Sequence, residues 1–122
     1  VASEMLQRGQ ELCTANGIRL LVVYVPIALR VHGPYLQFAA DVPLNEYVPD
    51  GDWNTPDEFA MRVAALCTER GISFIDATAA LQEGAAQRAF VYAPRFDSHL
   101  YFRGHEIVAN LITSALEAQP VQ

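Results

Sequence analysis

The chain has 122 residues, which suits one compact domain and is too short for two ordinary ones. Apolar residues make up 52% of it and charged residues 18%, so it can bury a core and differs from disordered chains in composition. Its net charge of −6 argues against general nucleic-acid binding and against docking on anionic membranes, since both need a basic surface. The longest apolar run, residues 20–29, contains a proline and is too short to span a bilayer.

All eight basic residues are arginines. A chain without lysine has neither a Schiff-base lysine nor a P-loop lysine, and no motif in it implies a cofactor. Cys13 and Cys67 lack the spacing of a metal site or redox pair, so we predict two buried, inert thiols. The sequence starts at Val1 without a methionine or a signal peptide, which suggests a piece of a longer protein.

Two helix–strand units are predicted in the first part of the chain. Residues 3–15 carry apolar side chains near a 3.6-residue period, and Asn16-Gly17 then predicts the end of a helix. Residues 18–25 are apolar and rich in β-branched side chains, which predicts a strand buried on both faces, as in parallel sheets. Residues 57–70 and 72–75 show the same succession of helix and buried strand.

The two units also share letters. The pattern Leu-Cys-Thr-x-x-Gly-Ile occurs at residues 12–18 and again at residues 66–72. We interpret the pattern as two helices that end with the same backbone geometry. Gly17 is predicted to end the first helix and Gly71 the second. Pro56 follows Thr55 and predicts the start of the second helix, because proline is favoured at the first helical position.

The remaining elements complete an α/β pattern. Asp76 is predicted to cap a helix over residues 77–87, and residues 89–92 predict a short third strand. A loop over residues 93–101 and a final helix over residues 103–117 follow. The order predicts an α/β fold, a three-layer sandwich with a parallel, flavodoxin-like sheet, which is incomplete here because three strands make a thin sheet. We expect the missing strands before Val1 or in another chain.

A long irregular stretch follows the first strand. Residues 26–54 contain four prolines and several aromatic residues and show no clear periodicity. Such a loop serves either as a substrate-facing wall, with Trp53 as a binding residue, or as a structural cover or partner contact. Arg30 is a candidate for binding an anionic substrate group, and His32 is expected to be exposed.

The strongest chemical signal is Asp97-Ser98-His99. On a loop, the carboxylate of Asp97 can accept the Nδ1–H of His99, which leaves the other ring nitrogen able to take a proton from a hydroxyl. The same letters also fit a capping aspartate beside a surface histidine, or a metal site shared with His105.

Three segments in this region resemble the closing block of the SGNH (GDSL-type) hydrolase superfamily. They are residues 71–76 (Gly-Ile-Ser-Phe-Ile-Asp), residues 97–100 (Asp-Ser-His-Leu) and residues 104–109 (Gly-His-Glu-Ile-Val-Ala). The resemblance implies an SGNH-like α/β fold with Asp97 and His99 as catalytic residues of a serine hydrolase. One residue separates the pair where most members have two, which looks like the branch that O-acetylates polysaccharides.

The family's serine block is not visible in this sequence. The serines present are Ser3, Ser73, Ser98 and Ser114. None of them has the strand-to-turn setting that a nucleophile needs. The resemblance therefore implies the C-terminal part of such a domain, with the nucleophile on an upstream segment or a second chain.

Two functions follow as hypotheses. The first is a serine esterase or O-acyl transferase acting on a small-molecule or carbohydrate ester, with His99 as general base oriented by Asp97. The second is a catalytically incomplete SGNH-like module that binds carbohydrate or a protein partner through residues 26–54.

Overall fold

The computed structural model describes residues 2–37, 40–41, 52–93 and 98–118. These residues form a mixed α/β structure with five α-helices and a two-stranded parallel sheet. In chain order the elements are α1 (Ala2–Ala15), β1 (Leu21–Tyr24), α2 (Ala28–His32), a 3₁₀ turn (Gly33–Tyr35), α3 (Glu58–Arg70), β2 (Ser73–Asp76), α4 (Thr78–Ala86) and α5 (Phe102–Glu117). The α/β class is confirmed, and the three-layer sandwich remains a prediction.

The chain divides into two units by its internal contacts. The first combines residues 1–24 and 56–76, and the second combines residues 25–55 and 77–122. None of the helices in the described ranges has the length and hydropathy needed to cross a bilayer.

The first unit contains the sheet. β1 and β2 run parallel, in a register that pairs Leu21 with Ser73 and Tyr24 with Asp76. α3 packs on β2, and α1 packs on α3. Both strands are half-buried along most of their length, so the prediction of burial on both faces is wrong for the described residues. Each strand has one described neighbour, and full burial needs strands on both sides and helices on both faces.

Both helices of the first unit end as the repeated pattern Leu-Cys-Thr-x-x-Gly-Ile predicted. Gly17 and Gly71 adopt left-handed backbone conformations, with φ of 67° and 65°. In each, the amide of the following isoleucine donates to the carbonyl of the cysteine five residues earlier, at 2.8 Å. Two otherwise unpaired helix carbonyls are satisfied at each end, and glycine adopts the required φ without steric cost.

Two predicted helix starts need correction. α3 begins after Asp57, whose Oδ1 accepts the N–H of Ala60 at 3.0 Å, so Pro56 precedes the cap and is not the first helical residue. A carboxylate at this position satisfies a helix N–H that would otherwise lack a partner. α4 begins after Ala77, which leaves Asp76 as the last residue of β2 and not the cap residue.

The second unit has its own core, and α4 contacts both α2 and α5. The core residues are Val31, Ala77, Leu81, Ala85, Val91 and Tyr92, with Ala28, Leu100, Ile107, Val108 and Leu111 packed against them. Removing this apolar surface from water stabilises the unit.

Two further predictions about the second unit are wrong in the described residues. The expected third strand over residues 89–92 is a single antiparallel bridge between Tyr92 and Leu100. The stretch 26–54 was expected to be irregular, yet it contains α2 and the 3₁₀ turn. Val31, in α2, is fully buried, so packing against α4 orders a segment that is too short to show a period.

The cysteines differ from each other. Cys67 is fully buried, and this burial raises the pKa of its thiol, as expected for an inert group. Cys13 is only half-buried. The prediction of two buried thiols is therefore confirmed for Cys67 and only in part for Cys13.

Candidate functional site

His99 lies on the segment that leads into α5. Its carbonyl accepts the N–H of Ala93 at 2.9 Å, and the N–H of Tyr101 donates to the carbonyl of Val91 at 2.9 Å. These two bonds flank the bridge between Tyr92 and Leu100. The backbone at His99 is therefore held against residues 91–93, while its side chain is exposed. His99 is therefore accessible from solvent in the segment that leads into α5.

Asp97 lies outside the described residues, so its hydrogen bond to His99 stays a prediction. His105, the other histidine of this region, lies in the first turn of α5 and is exposed. Across residues 2–37, 40–41, 52–93 and 98–118, no three histidines, cysteines or carboxylates are grouped so that they could hold a metal ion.

Arg30 is inside the protein. The residue is 7% exposed, and Nη1 donates to the carbonyl oxygen of Thr55 at 2.5 Å. A buried guanidinium needs such acceptors, because an unpaired buried charge is costly. Arg30 thus joins α2 to the residues before α3, and its predicted contact with an anionic substrate group stays a prediction.

Trp53 packs against the 3₁₀ turn. A Cβ atom added to Gly33 would lie 2.0 Å from Cζ3 of the indole, so the ring rests directly on the Gly33 backbone. Gln82 of α4 donates through Nε2 to the carbonyls of both Trp53 and Arg30, each at 3.2 Å. The structure therefore brings two predicted site residues together through a glutamine that sequence reasoning missed. The predicted substrate contact of Trp53 stays a prediction.

His32 was expected to be exposed, and this expectation is wrong. It is half-buried, its Nε2 accepts the N–H of Tyr92 at 3.4 Å, and the two rings meet edge to face at 6.1 Å. Burial lowers the pKa of His32. With Nε2 as acceptor, the neutral ring carries its proton on Nδ1.

Tyr92 is also fixed by the contact of its hydroxyl. Tyr92 is 3% exposed, and its hydroxyl donates to the carbonyl of Pro26. The apolar letters around residue 92 could have indicated burial. No local signal indicated His32, because its partner lies 60 residues away in the chain.

The lowered pKa of His32 predicts a pH effect on stability. Between the folded and unfolded pKa values the unfolded chain binds the extra proton, so stability falls as pH drops below about 6.5, the usual histidine value. We expect the Tm of the wild type to fall more steeply from pH 7 to pH 5 than that of His32→Gln. The other titrating groups are common to both proteins, so they do not account for a difference between them. An equal fall of Tm with pH in the two proteins would contradict the prediction.

No family model, curated protein or solved structure matches this chain.

Proposed function

We propose that this chain supplies the acid–base residues of a serine-dependent acyl-transfer site of SGNH type, acting on an O-acyl ester. The observation that carries the proposal is the pair of Asp97 and His99, which precedes α5 in the sequence by a few residues. The exposed side chain of His99, on a backbone held by residues 91–93, supports it.

The chemistry takes two steps. His99 removes the proton of a serine hydroxyl as that oxygen attacks the ester carbonyl, and then gives this proton to the departing alcohol. Water, in a hydrolase, or a second alcohol, in a transferase, then attacks the acyl-serine and loses its proton to His99. The serine leaves with that proton restored. Asp97 orients His99 and stabilises its charged form.

The nucleophile is proposed to lie on an upstream segment or a second chain. Ser114 is near the end of α5, about 18 Å along the helix axis from its start by the standard rise per residue. Oγ of Ser3 accepts a hydrogen bond from Nη2 of Arg70 at 2.7 Å, and Ser73 pairs with Leu21 in the sheet. Ser98 adjoins His99 in the chain, where it cannot easily face the imidazole.

Fluorophosphonate labelling of the native gene product, followed by mass spectrometry of the tagged peptide, tests this proposal. We expect the label on a serine outside the 122 residues of this sequence, because the reagent captures serines activated by a histidine base. A label on one of the four serines named here would contradict the location of the nucleophile. Folded protein that takes no label would contradict the enzyme and favour the module that binds carbohydrate or a partner.

A further inference from the structure

The second unit contains a cavity of about 530 Å³, and the predicted site residues that the structure describes, Arg30, Trp53 and His99, do not line it. Its wall is formed by His32, by Tyr35 and Leu36, and by the end of α4 with Arg88 and Phe90. The volume falls in the range of small-molecule sites.

Arg88 has an unusual backbone for an arginine. Its φ is 61°, in the left-handed region, where glycine is favoured. The N–H of Arg88 donates to the carbonyl of Ala85 at 2.9 Å, and the N–H of Ala89 donates to that of Gly84 at 3.3 Å. This is the paired hydrogen-bond pattern that also ends α1 and α3.

Among the described residues, α1, α3 and α4 thus end with the same hydrogen-bond pattern. Glycine occupies the left-handed position at only two of these ends. At the ends of α1 and α3, Gly17 and Gly71 take the left-handed position, and a Cβ atom added to either glycine would have no other atom within 4 Å. At the end of α4, Arg88 takes that position in spite of the steric cost. Strain of this kind recurs where a side chain is held for a function, and the strained residue here lines the cavity.

The lining of the cavity defines a ligand class. Arg88 is the cation of the wall, and the residues that the structure describes there include no carboxylate. Three apolar side chains of the wall are also largely exposed: Phe90 at 63%, Tyr35 at 57% and Leu36 at 52%. Aromatic and apolar walls with a few polar groups are typical of small-molecule sites, and arginine pairs with carboxylates through two parallel hydrogen bonds.

We propose that this cavity binds a small carboxylate with a planar apolar body, whose carboxylate pairs with Arg88 and whose body packs on Phe90, Tyr35 and Leu36. The proposal does not rest on the acyl-transfer chemistry, and His99 is not among the described residues of the wall.

Binding of 2-naphthoate, followed by NMR of the backbone amides, tests this proposal, with the uncharged 2-naphthamide as the matched ligand. We expect naphthoate to shift the amides of residues 32–33, 35–36 and 85–90. Arg88→Gln should weaken naphthoate binding at least about tenfold and leave naphthamide binding unchanged, because a charged hydrogen bond is lost. Shifts elsewhere, or equal affinity of both proteins for naphthoate, would overturn the proposal.

The thermal stability of Arg88 variants shows whether this arginine serves a ligand or supports the fold. Arg88→Gly removes the guanidinium and the left-handed strain together, so it should raise the Tm by about 3–6 °C while it loses naphthoate binding. Arg88→Ala keeps a Cβ at positive φ and should melt below Arg88→Gly. A glycine variant less stable than the wild type would show that the arginine supports the fold, against the proposal.

Discussion

Replacing His99 with alanine should lower kcat/KM for 4-nitrophenyl acetate about a thousandfold in the complete protein, because general-base catalysis contributes 10²–10⁴-fold. Without the imidazole, no group removes the proton of the attacking serine or returns it to the leaving alcohol. The rate of fluorophosphonate labelling should fall with kcat/KM, since both reactions need the same activated serine. The measurement is steady-state hydrolysis beside timed labelling, with the thermal melt recorded for each variant.

His105→Ala is the matched control for this experiment. His105 is an exposed histidine in the first turn of α5, six positions after His99, and the proposed chemistry does not use it. We expect near-wild-type kcat/KM from this variant. Equal losses in the two variants, or full activity in a folded His99→Ala protein, would remove His99 from the proposed site.

The largest expected loss of stability comes from Gly104→Ala. A Cβ at Gly104 would lie 2.1 Å from the carbonyl oxygen of Val91 and 2.9 Å from Cδ2 of Leu100. Val91 cannot move freely, because its side chain is fully buried and its carbonyl accepts the N–H of Tyr101. We expect the free energy of unfolding to fall by about 3 kcal/mol, the upper part of the range for overpacking, as measured by urea unfolding.

Gly9→Ala is the control for the glycine-to-alanine change itself. Gly9 lies inside α1, and the nearest atom to an added Cβ is Cδ2 of Leu20, at 3.9 Å. Alanine is favoured over glycine in a helix interior, so the free energy of unfolding of this variant should rise by about 0.5–1 kcal/mol. If both variants unfold at the same urea concentration, the close approach of α5 to residue 91 is not what makes glycine necessary at position 104.

Sequence patterns correctly predicted the helices and helix ends that depend only on residues close together in the chain. The helix of residues 3–15 and the final helix of residues 103–117 agree with α1 and α5 to within one residue at each end. Gly17 and Gly71 were predicted as helix stops for the right reason, since both adopt positive φ. An apolar period and a glycine stop involve residues at most a few positions apart, so the letters alone contain that information.

Predictions that depended on distant partners were less accurate. Residues 89–92 have the apolar letters of a strand, yet they form one bridge to Leu100. His32 was expected to be exposed but contacts Tyr92, which lies 60 positions later in the chain. A strand forms only when another strand pairs with it, and a side chain is buried only when other residues pack around it. The sequence of the segment itself does not show which distant residues will do so.

For the candidate site, the sequence by itself determined the motif Asp97-Ser98-His99, its place before the last helix and the absence of lysine from these 122 residues. Only the tertiary structure decided that Arg30 is buried against Thr55, 25 positions away, and that Gln82 ties it to Trp53. Covalent neighbours and helix ends follow from the order of residues, since their hydrogen bonds span a few positions. Burial and crowding arise when segments far apart in the chain pack together, and that packing is a property of the whole fold.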